Sequence, residues 1–247
     1  MEELREYRFR VESRDVDFMK RATVMALGDY VLHTAGEDAD ANGFGVRELN
    51  ATHNSSWVLT RMAMEVLRMP DEYEELTIQT WVSEVSRVMT TRNFRVFGRG
   101  REPIASAVTN WAMINLDTRR PMDLYTLNNY NGMTQAVASP VDMPRRLTVP
   151  EEEKRYNHTV VYSDVDFNCH ANSMKYLQWV VDTLPLEELS SKRFARIDIN
   201  FIQESLHGQD LSIISGREED GQLFEIRNAE EKPVCRIAFS LRQHFYK

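Results

Sequence analysis

The sequence predicts an α+β protein in which one structural unit is used twice, each copy a long helix followed by several antiparallel strands. Three observations carry that prediction. First, residues 14–35, RDVDFMKRATVMALGDYVLHTA, pair without a gap with residues 163–184, SDVDFNCHANSMKYLQWVVDTL. Asp15, Val16, Asp17, Phe18, Ala22, Met25, Val31 and Thr34 are identical to the residues 149 positions later. Chance pairing gives far fewer matches, and the contiguous Asp-Val-Asp-Phe points to duplication. Second, a proline-rich stretch separates the copies. Third, each copy passes from a helical hydrophobic period to a period of two.

Length and composition agree with this. A chain of 247 residues is one large domain or two small ones. With 42% hydrophobic and 28% charged residues, coiled coil, collagen and disorder are excluded. The net charge of −8 does not suit a chain that tracks phosphates, so no nucleic-acid partner is expected. Two cysteines form no disulfide framework and fit a reducing compartment.

Taken in order, Met1 to Val11 alternates charged and apolar side chains rather than forming the apolar run of a signal peptide. No stretch of about 18 apolar residues is present to span a bilayer, so a cytoplasmic protein without membrane contact is expected. A helical pattern follows the first Asp-Val-Asp-Phe. Then Leu76, Ile78, Thr80 and Val82 alternate with their neighbours, as do Ile104, Ser106, Val108 and Asn110. Period two predicts half-buried antiparallel strands. The first unit is assigned to residues 1–125.

Residues 126–150 are assigned as a linker. Pro121, Pro140, Pro144 and Pro150, half of the eight prolines, fall in or beside it, with the turn-prone pairs Asn128-Asn129 and Asn131-Gly132. Proline removes donors and glycine admits positive φ, so a connector is expected rather than core. The second unit, 151–247, repeats the grammar. Met174, Leu177, Val180, Val181 and Leu184 share one helix face, Asn172 is placed to cap it, and Pro185 marks its stop. Ile197, Ile199 and Phe201 then alternate with Asp198 and Asn200, and Ile237, Phe239 and Leu241 with Arg236, Ser240 and Arg242.

The copies differ where chemistry is expected. The second reads Asp164-Val165-Asp166-Phe167-Asn168-Cys169-His170-Ala171-Asn172, while the first has Met19, Arg21 and Thr23 in place of Asn168, His170 and Asn172. One working and one degenerate site are expected. In an extended segment Asp166, Asn168 and His170 would line one side, with Phe167 and Cys169 opposite; Cys169 is then a buried structural thiol rather than a nucleophile. The helix start just beyond favours developing negative charge. Taken alone, a histidine at a helix start is as often structural; the contrast between copies is what favours function. Calcium is excluded because an EF-hand loop needs glycine and glutamate where Cys169 and Lys175 stand. His170 has no partner at zinc-ligand spacing. No GxSxG elbow, P-loop or dinucleotide fingerprint occurs. Glu204 ends a run of apolar alternation before a turn, an ordinary place for a solvated carboxylate.

Taken together, these motifs resemble the acyl-acyl carrier protein thioesterases of plants and bacteria. The similarity runs from about residue 5 to residue 244. It includes Thr34-Ala35-Gly36, Gly43-Phe44-Gly45, Trp57 to Arg61, Thr80-Trp81-Val82-Ser83, Thr91-Arg92-Asn93-Phe94 and Ala105 to Arg120. The strongest part is Tyr162 to Trp179, with DxDxNxHxN and a following Lys-Tyr. The resemblance implies a tandem hotdog fold, each half an antiparallel sheet wrapped around its helix, with the acyl chain bound in the first half. It implies hydrolysis of the thioester between a fatty acyl chain and the phosphopantetheine arm of acyl carrier protein, in fatty acid biosynthesis, with no metal or organic cofactor. By the same likeness Asp166, Asn168, His170 and Glu204 are the catalytic set. Many plant members carry cysteine directly after that glutamate. Here Ser205 stands there as a possible accessory, and because its hydroxyl ionises far less readily than a thiol, water is the expected nucleophile. Carrier protein is acidic, so docking would need a local basic patch, for which Arg119, Arg120, Arg145 and Arg146 are candidates. An acyl-coenzyme A thioesterase on the same fold and a non-catalytic acyl-binding sensor are the alternatives. Monomer and homodimer are both open.

Overall fold

The computed structural model describes residues 4–126, 134–218 and 221–243. The turn-prone pairs Asn128-Asn129 and Asn131-Gly132 lie outside the described residues. The chain divides into two compact units, residues 1–143 and 144–247. The first holds β1 (Arg5–Arg10), α1 (Val24–Ala41), α2 (Val46–His53), β2 (Ser55–Val66), β3 (Glu75–Val85), β4 (Thr90–Phe97) and β5 (Pro103–Asn115). The second holds β6 (Lys154–Thr159), α3 (Ser173–Val181), α4 (Leu186–Ser191), β7 (Lys192–Phe201), β8 (Asp210–Glu218), β9 (Gly221–Asn228) and β10 (Pro233–Gln243).

Both units are α+β with an antiparallel sheet. The strand order is β1-β3-β4-β5-β2 in the first and β6-β8-β9-β10-β7 in the second. Relabelled within each unit these orders are the same, so the duplication reaches well beyond the segment in which it is visible as sequence identity.

The helices start where a polar side chain satisfies a free N–H. Thr23 Oγ1 accepts from Ala26 N at 3.1 Å to open α1, and Asn172 Oδ1 accepts from Met174 N at 2.8 Å to open α3. α1 packs on β1 and β3 and buries Val24, Leu27, Gly28, Val31, Thr34, Ala35 and Asp38, the stripe of an amphipathic helix. α3 buries Met174, Tyr176, Leu177, Trp179, Val180 and Val181. It is not the long helix expected: it has 9 residues against 18 in α1. Pro185 disfavours helical backbone at the residue before it. The chain turns off instead, with Thr183 N and Leu184 N donating to Val180 O and Val181 O. Pro185 then stands at the N-cap of α4, and Leu184 lies past the end of α3.

The strands are more deeply buried than alternation predicts. β3 does alternate from Leu76 to Thr80. In β5 and β7, however, Ala107 to Asn110 and Ile197 to Asn200 are buried on both faces. The cover comes from the stretch expected to be connector only. Val141, Pro144, Leu147 and Pro150 are buried and the residues between them exposed, the period of three of a polyproline-type run. Val141 packs with Ala63 and Val108 in the first unit, and Leu147 with Leu223 and Ala238 in the second.

Buried side chains pair the backbone of this strap, as unsatisfied peptide groups require. Arg145 N and Leu147 N donate to Asp198 Oδ1 and Asn200 Oδ1, both at 2.9 Å. Asn200 Nδ2 donates to Arg145 O at 2.9 Å, and Arg236 Nη1 to Leu147 O at 3.1 Å. Among the described residues no helix is long and apolar enough to cross a membrane.

Candidate active site

The Asp-Val-Asp-Phe segment folds the same way in both units, and it is a turn rather than an extended run. In the second unit Cys169 N donates to Asp166 O at 3.1 Å, Asp166 N to His170 O at 2.8 Å, and Val165 bridges to Ala171. Asp166 Oδ1 accepts from Asn168 N at 2.8 Å and from His170 N at 3.3 Å. In the first unit Lys20 N donates to Asp17 O and Asp17 N to Arg21 O, while Asp17 Oδ1 accepts from Met19 N at 2.7 Å and Arg21 N at 3.2 Å. Lys20 and Cys169 share a left-handed conformation, with φ of 59° and 62°.

Two expectations are corrected by this. Alternation does not govern a tight turn, so Cys169, expected to be buried, is exposed at its tip. Asp166 holds the backbone N–H groups of Asn168 and His170, not their side chains. Asp17 does the same where asparagine and histidine are missing, so the turn itself requires this carboxylate. The preceding aspartates are also equivalent. Asp164 accepts from Val161 N at 2.9 Å and Trp179 Nε1 at 3.3 Å, and faces His158 Nε2 at 3.1 Å. Asp15 accepts from Glu12 N at 3.1 Å and Tyr30 OH at 2.7 Å. Burial would raise the Asp164 carboxyl, but its donors outweigh this and hold it below the usual range.

The segment that follows β7 brings up Glu204. Ala171 N donates to Ser205 O at 2.8 Å, and His170 bridges to Leu206. His170 Nε2 then lies 3.4 Å from Glu204 Oε2, with both side chains partly exposed. Asn168 is exposed on the same turn. Tyr162 and Phe167, 88% and 85% exposed, and Leu206 add apolar surface beside it.

The first unit has the same scaffold without the chemistry. Arg21 bridges to Asp71, Ala22 N donates to Pro70 O at 2.8 Å, and Tyr73 N donates to Val11 O as Gly208 N does to Val160 O. Leu206 therefore corresponds to Asp71, and Glu204 to Met69. Met19, Arg21 and Met69 stand where the second unit has Asn168, His170 and Glu204. A pair able to exchange a proton is replaced by a permanently charged guanidinium and a thioether.

The N–H groups of Asn168, Cys169, His170, Ala171, Asn172, Met174 and Lys175 are all engaged within the turn, its neighbouring strand and the cap. These seven are not the open oxyanion donors expected at the helix start; the Asn168 side-chain amide is exposed on the same turn as His170. Ser205 is fully buried, and among the described residues no carboxylate or imidazole is hydrogen-bonded to its Oγ, so no base is in place to activate it. Arg145 is committed to Asp198 and Glu218, both at 3.0 Å. Arg119 and Arg120 are exposed in the turn after β5, and Arg146 is exposed on the strap. Among the described residues no group of three or more His, Cys, Asp or Glu side chains is placed to hold a metal ion.

Both halves match known families. Residues 3–126 match the family model of the acyl-ACP thioesterase N-terminal domain, and residues 148–243 that of its C-terminal domain. An acyl-ACP thioesterase from Bacteroides thetaiotaomicron is 34% identical with a TM-score of 0.90, over 97% of this chain and 98% of that one. The 12:0-ACP thioesterase from Umbellularia californica shares the fold, with a TM-score of 0.83 at 17% identity over 98% of each chain. The oleoyl-acyl carrier protein thioesterase of Coriandrum sativum is 25% identical over 232 residues, 86% of this chain and 62% of that protein. The chain thus spans about three fifths of the length of the curated relatives it matches. With both of its halves matched, this chain belongs to the acyl-ACP thioesterase family.

Proposed function

We propose that the protein hydrolyses the thioester of acyl-[acyl carrier protein], releasing free fatty acid and holo-carrier protein, with water as the nucleophile. The observation that carries this reading is the 3.4 Å contact between His170 Nε2 and Glu204 Oε2, in the one unit of the two that keeps the polar set. The fold is read as a tandem hotdog, with the first unit holding the acyl chain and the second the chemistry.

Glu204 takes a proton from water, whose oxygen attacks the thioester carbonyl carbon. The Asn168 amide donates to the oxygen that becomes negative. As the C–S bond breaks, His170 passes a proton to the departing thiolate, and the pair exchanges protons before the next turnover. Asp166 sets the turn that aims Asn168 and His170. The exposed apolar side chains Tyr162, Phe167 and Leu206 suit an acyl thioester substrate. Docking of an acidic carrier is assigned to Arg119, Arg120 and Arg146, with Arg145 retained by its ion pairs.

Turnover of Asn168→Ala, His170→Ala, Glu204→Ala and Ser205→Ala on acyl-carrier substrate tests this. Loss of a proton-transfer group lowers kcat by about 10²–10⁴-fold, expected at His170 and Glu204. Loss of an oxyanion donor lowers it by about 10²–10³-fold, expected at Asn168. Loss confined to Ser205→Ala, or a covalent acyl adduct seen by mass spectrometry, overturns the water mechanism. A chain-length panel on carrier and coenzyme A thioesters then defines the substrate.

A further inference from the structure

Tyr176 separates the two units as sharply as His170 does. It lies on α3, one turn after the Asn172 cap, and is 4% exposed. Its ring packs edge-on against Trp179 and Phe201, with centroids 4.9 and 6.1 Å away. Its hydroxyl oxygen accepts from Ser205 N at 3.0 Å. Ser205 directly follows Glu204, and its carbonyl is the one that accepts from Ala171 N. Ser205, the residue beyond Glu204, is therefore held on both sides, its C=O by the catalytic turn and its N–H by the helix. Upstream, Ile202 N and Gln203 N share a single acceptor, Val234 O, at 2.9 and 3.0 Å.

In the first unit the helix clamp loses both of its members. Leu27, fully buried, occupies the helix position of Tyr176, 149 residues earlier. Pro70 occupies the position of Ser205 and has no N–H to donate. The turn clamp survives there, since Pro70 O still accepts from Ala22 N at 2.8 Å. The clamp common to both units serves the fold. The other occurs only beside Glu204 and His170. A fold that merely needs to bury this segment does so with leucine and proline.

We infer that Tyr176 is a positioning residue whose hydroxyl, through the Ser205 N–H, fixes the segment after β7 so that the Glu204 carboxylate stands against His170. This rests on the reading of Glu204 and His170 as the reacting pair. Glu204 is partly exposed three residues beyond β7, so the course of the backbone there sets where its carboxylate starts. Displacement of a reacting group by about 1 Å lowers rate by roughly 10²-fold, even when its cause lies away from the chemistry.

Tyr176→Phe keeps the ring and removes one oxygen. The expected result on acyl-carrier substrate, well below the unfolding temperature, is a kcat about 10- to 100-fold lower with KM within about twofold of wild type. The double variant Tyr176→Phe/Ser205→Pro removes acceptor and donor together, as the first unit lacks both, and leaves no orphaned N–H. It is expected to regain thermal stability lost in the single variant while kcat stays low. A kcat within about twofold of wild type in either variant overturns the proposal, because a purely structural hydroxyl predicts that recovery. Glu204→Gln in the same assay separates the two levels. If it retains full turnover, the reading of the pair fails and the proposal with it. If it is inactive while Tyr176→Phe is fully active, the clamp alone fails.

Discussion

Asp17 and Asp166 make the same backbone hydrogen bonds at equivalent turns, only one of which carries asparagine and histidine. Folding and chemistry can therefore be separated at this position. Asp17→Ala and Asp166→Ala each strand two N–H groups, at a cost of about 1–3 kcal/mol. Both are expected to lower the melting temperature, but turnover should fall only in Asp166→Ala, because only that turn aims a proton-transfer group. Equal turnover losses in the two would show that general destabilisation, not aim, is responsible. The polar residues of the site were legible as a difference between copies, since Met19 and Arg21 cannot replace Asn168 and His170. Their geometry was not, because Asp-Val-Asp-Phe can be written as a strand, and only the hydrogen bonds of Asp166 reveal a turn. Tyr176 was missed for a related reason. Its Leu27 counterpart lies within the visible repeat, but Ser205 aligns with Pro70 only at an offset of 135, set by the unequal helical segments of the two units.

At the scale of elements, the order helix then antiparallel strands was readable from hydrophobic period, and the caps from Thr23 and Asn172. The strap was not. Val141, Pro144, Leu147 and Pro150 repeat every three residues, a period that searches for helix at 3.6 and strand at 2 pass over, and the prolines read as breakers. The buried polar pair on β7 was the overlooked sign: Asp198 and Asn200 point outward from a strand whose other face is apolar, and something had to satisfy them. Burial would raise the Asp198 carboxyl, but Arg196 and the Arg145 backbone and guanidinium outweigh this and hold it below the usual range. Asn200→Ala removes the acceptor of Leu147 N and the donor to Arg145 O, so the second unit should lose about 1–3 kcal/mol. Hydrogen exchange at the Leu147 amide is expected to accelerate beyond the change at β9 and β10. Unchanged protection at Leu147 would mean that Asn200 does not hold the strap.

Across the whole molecule, excess acidic charge makes low pH the informative stress. Glu74 in the first unit is 3% exposed. Its two carboxylate oxygens accept from Arg68 at 2.7 and 2.9 Å, from Arg99 N at 2.9 Å and from Asp71 N at 3.0 Å. Burial alone would raise its pKa, but these donors more than offset that and lower it from 4.5 to about 2. Asp164 and Asp198 in the second unit are also held below their usual value. A carboxyl depressed in the folded state binds protons less readily there than in the unfolded chain. The stability it contributes is complete above its unfolded pKa and is lost as pH falls through the folded one. For Glu74 that window runs from 4.5 down to about 2, and the linked free energy is on the order of a few kcal/mol. Glu74→Gln keeps the shape but gives up the charge. It should be less stable than wild type at neutral pH, and its stability should decline less steeply between about pH 4.5 and 2. Denaturant titrations across that range read both quantities. Curves that run parallel down to pH 2 would show that Glu74 does not link protons to folding.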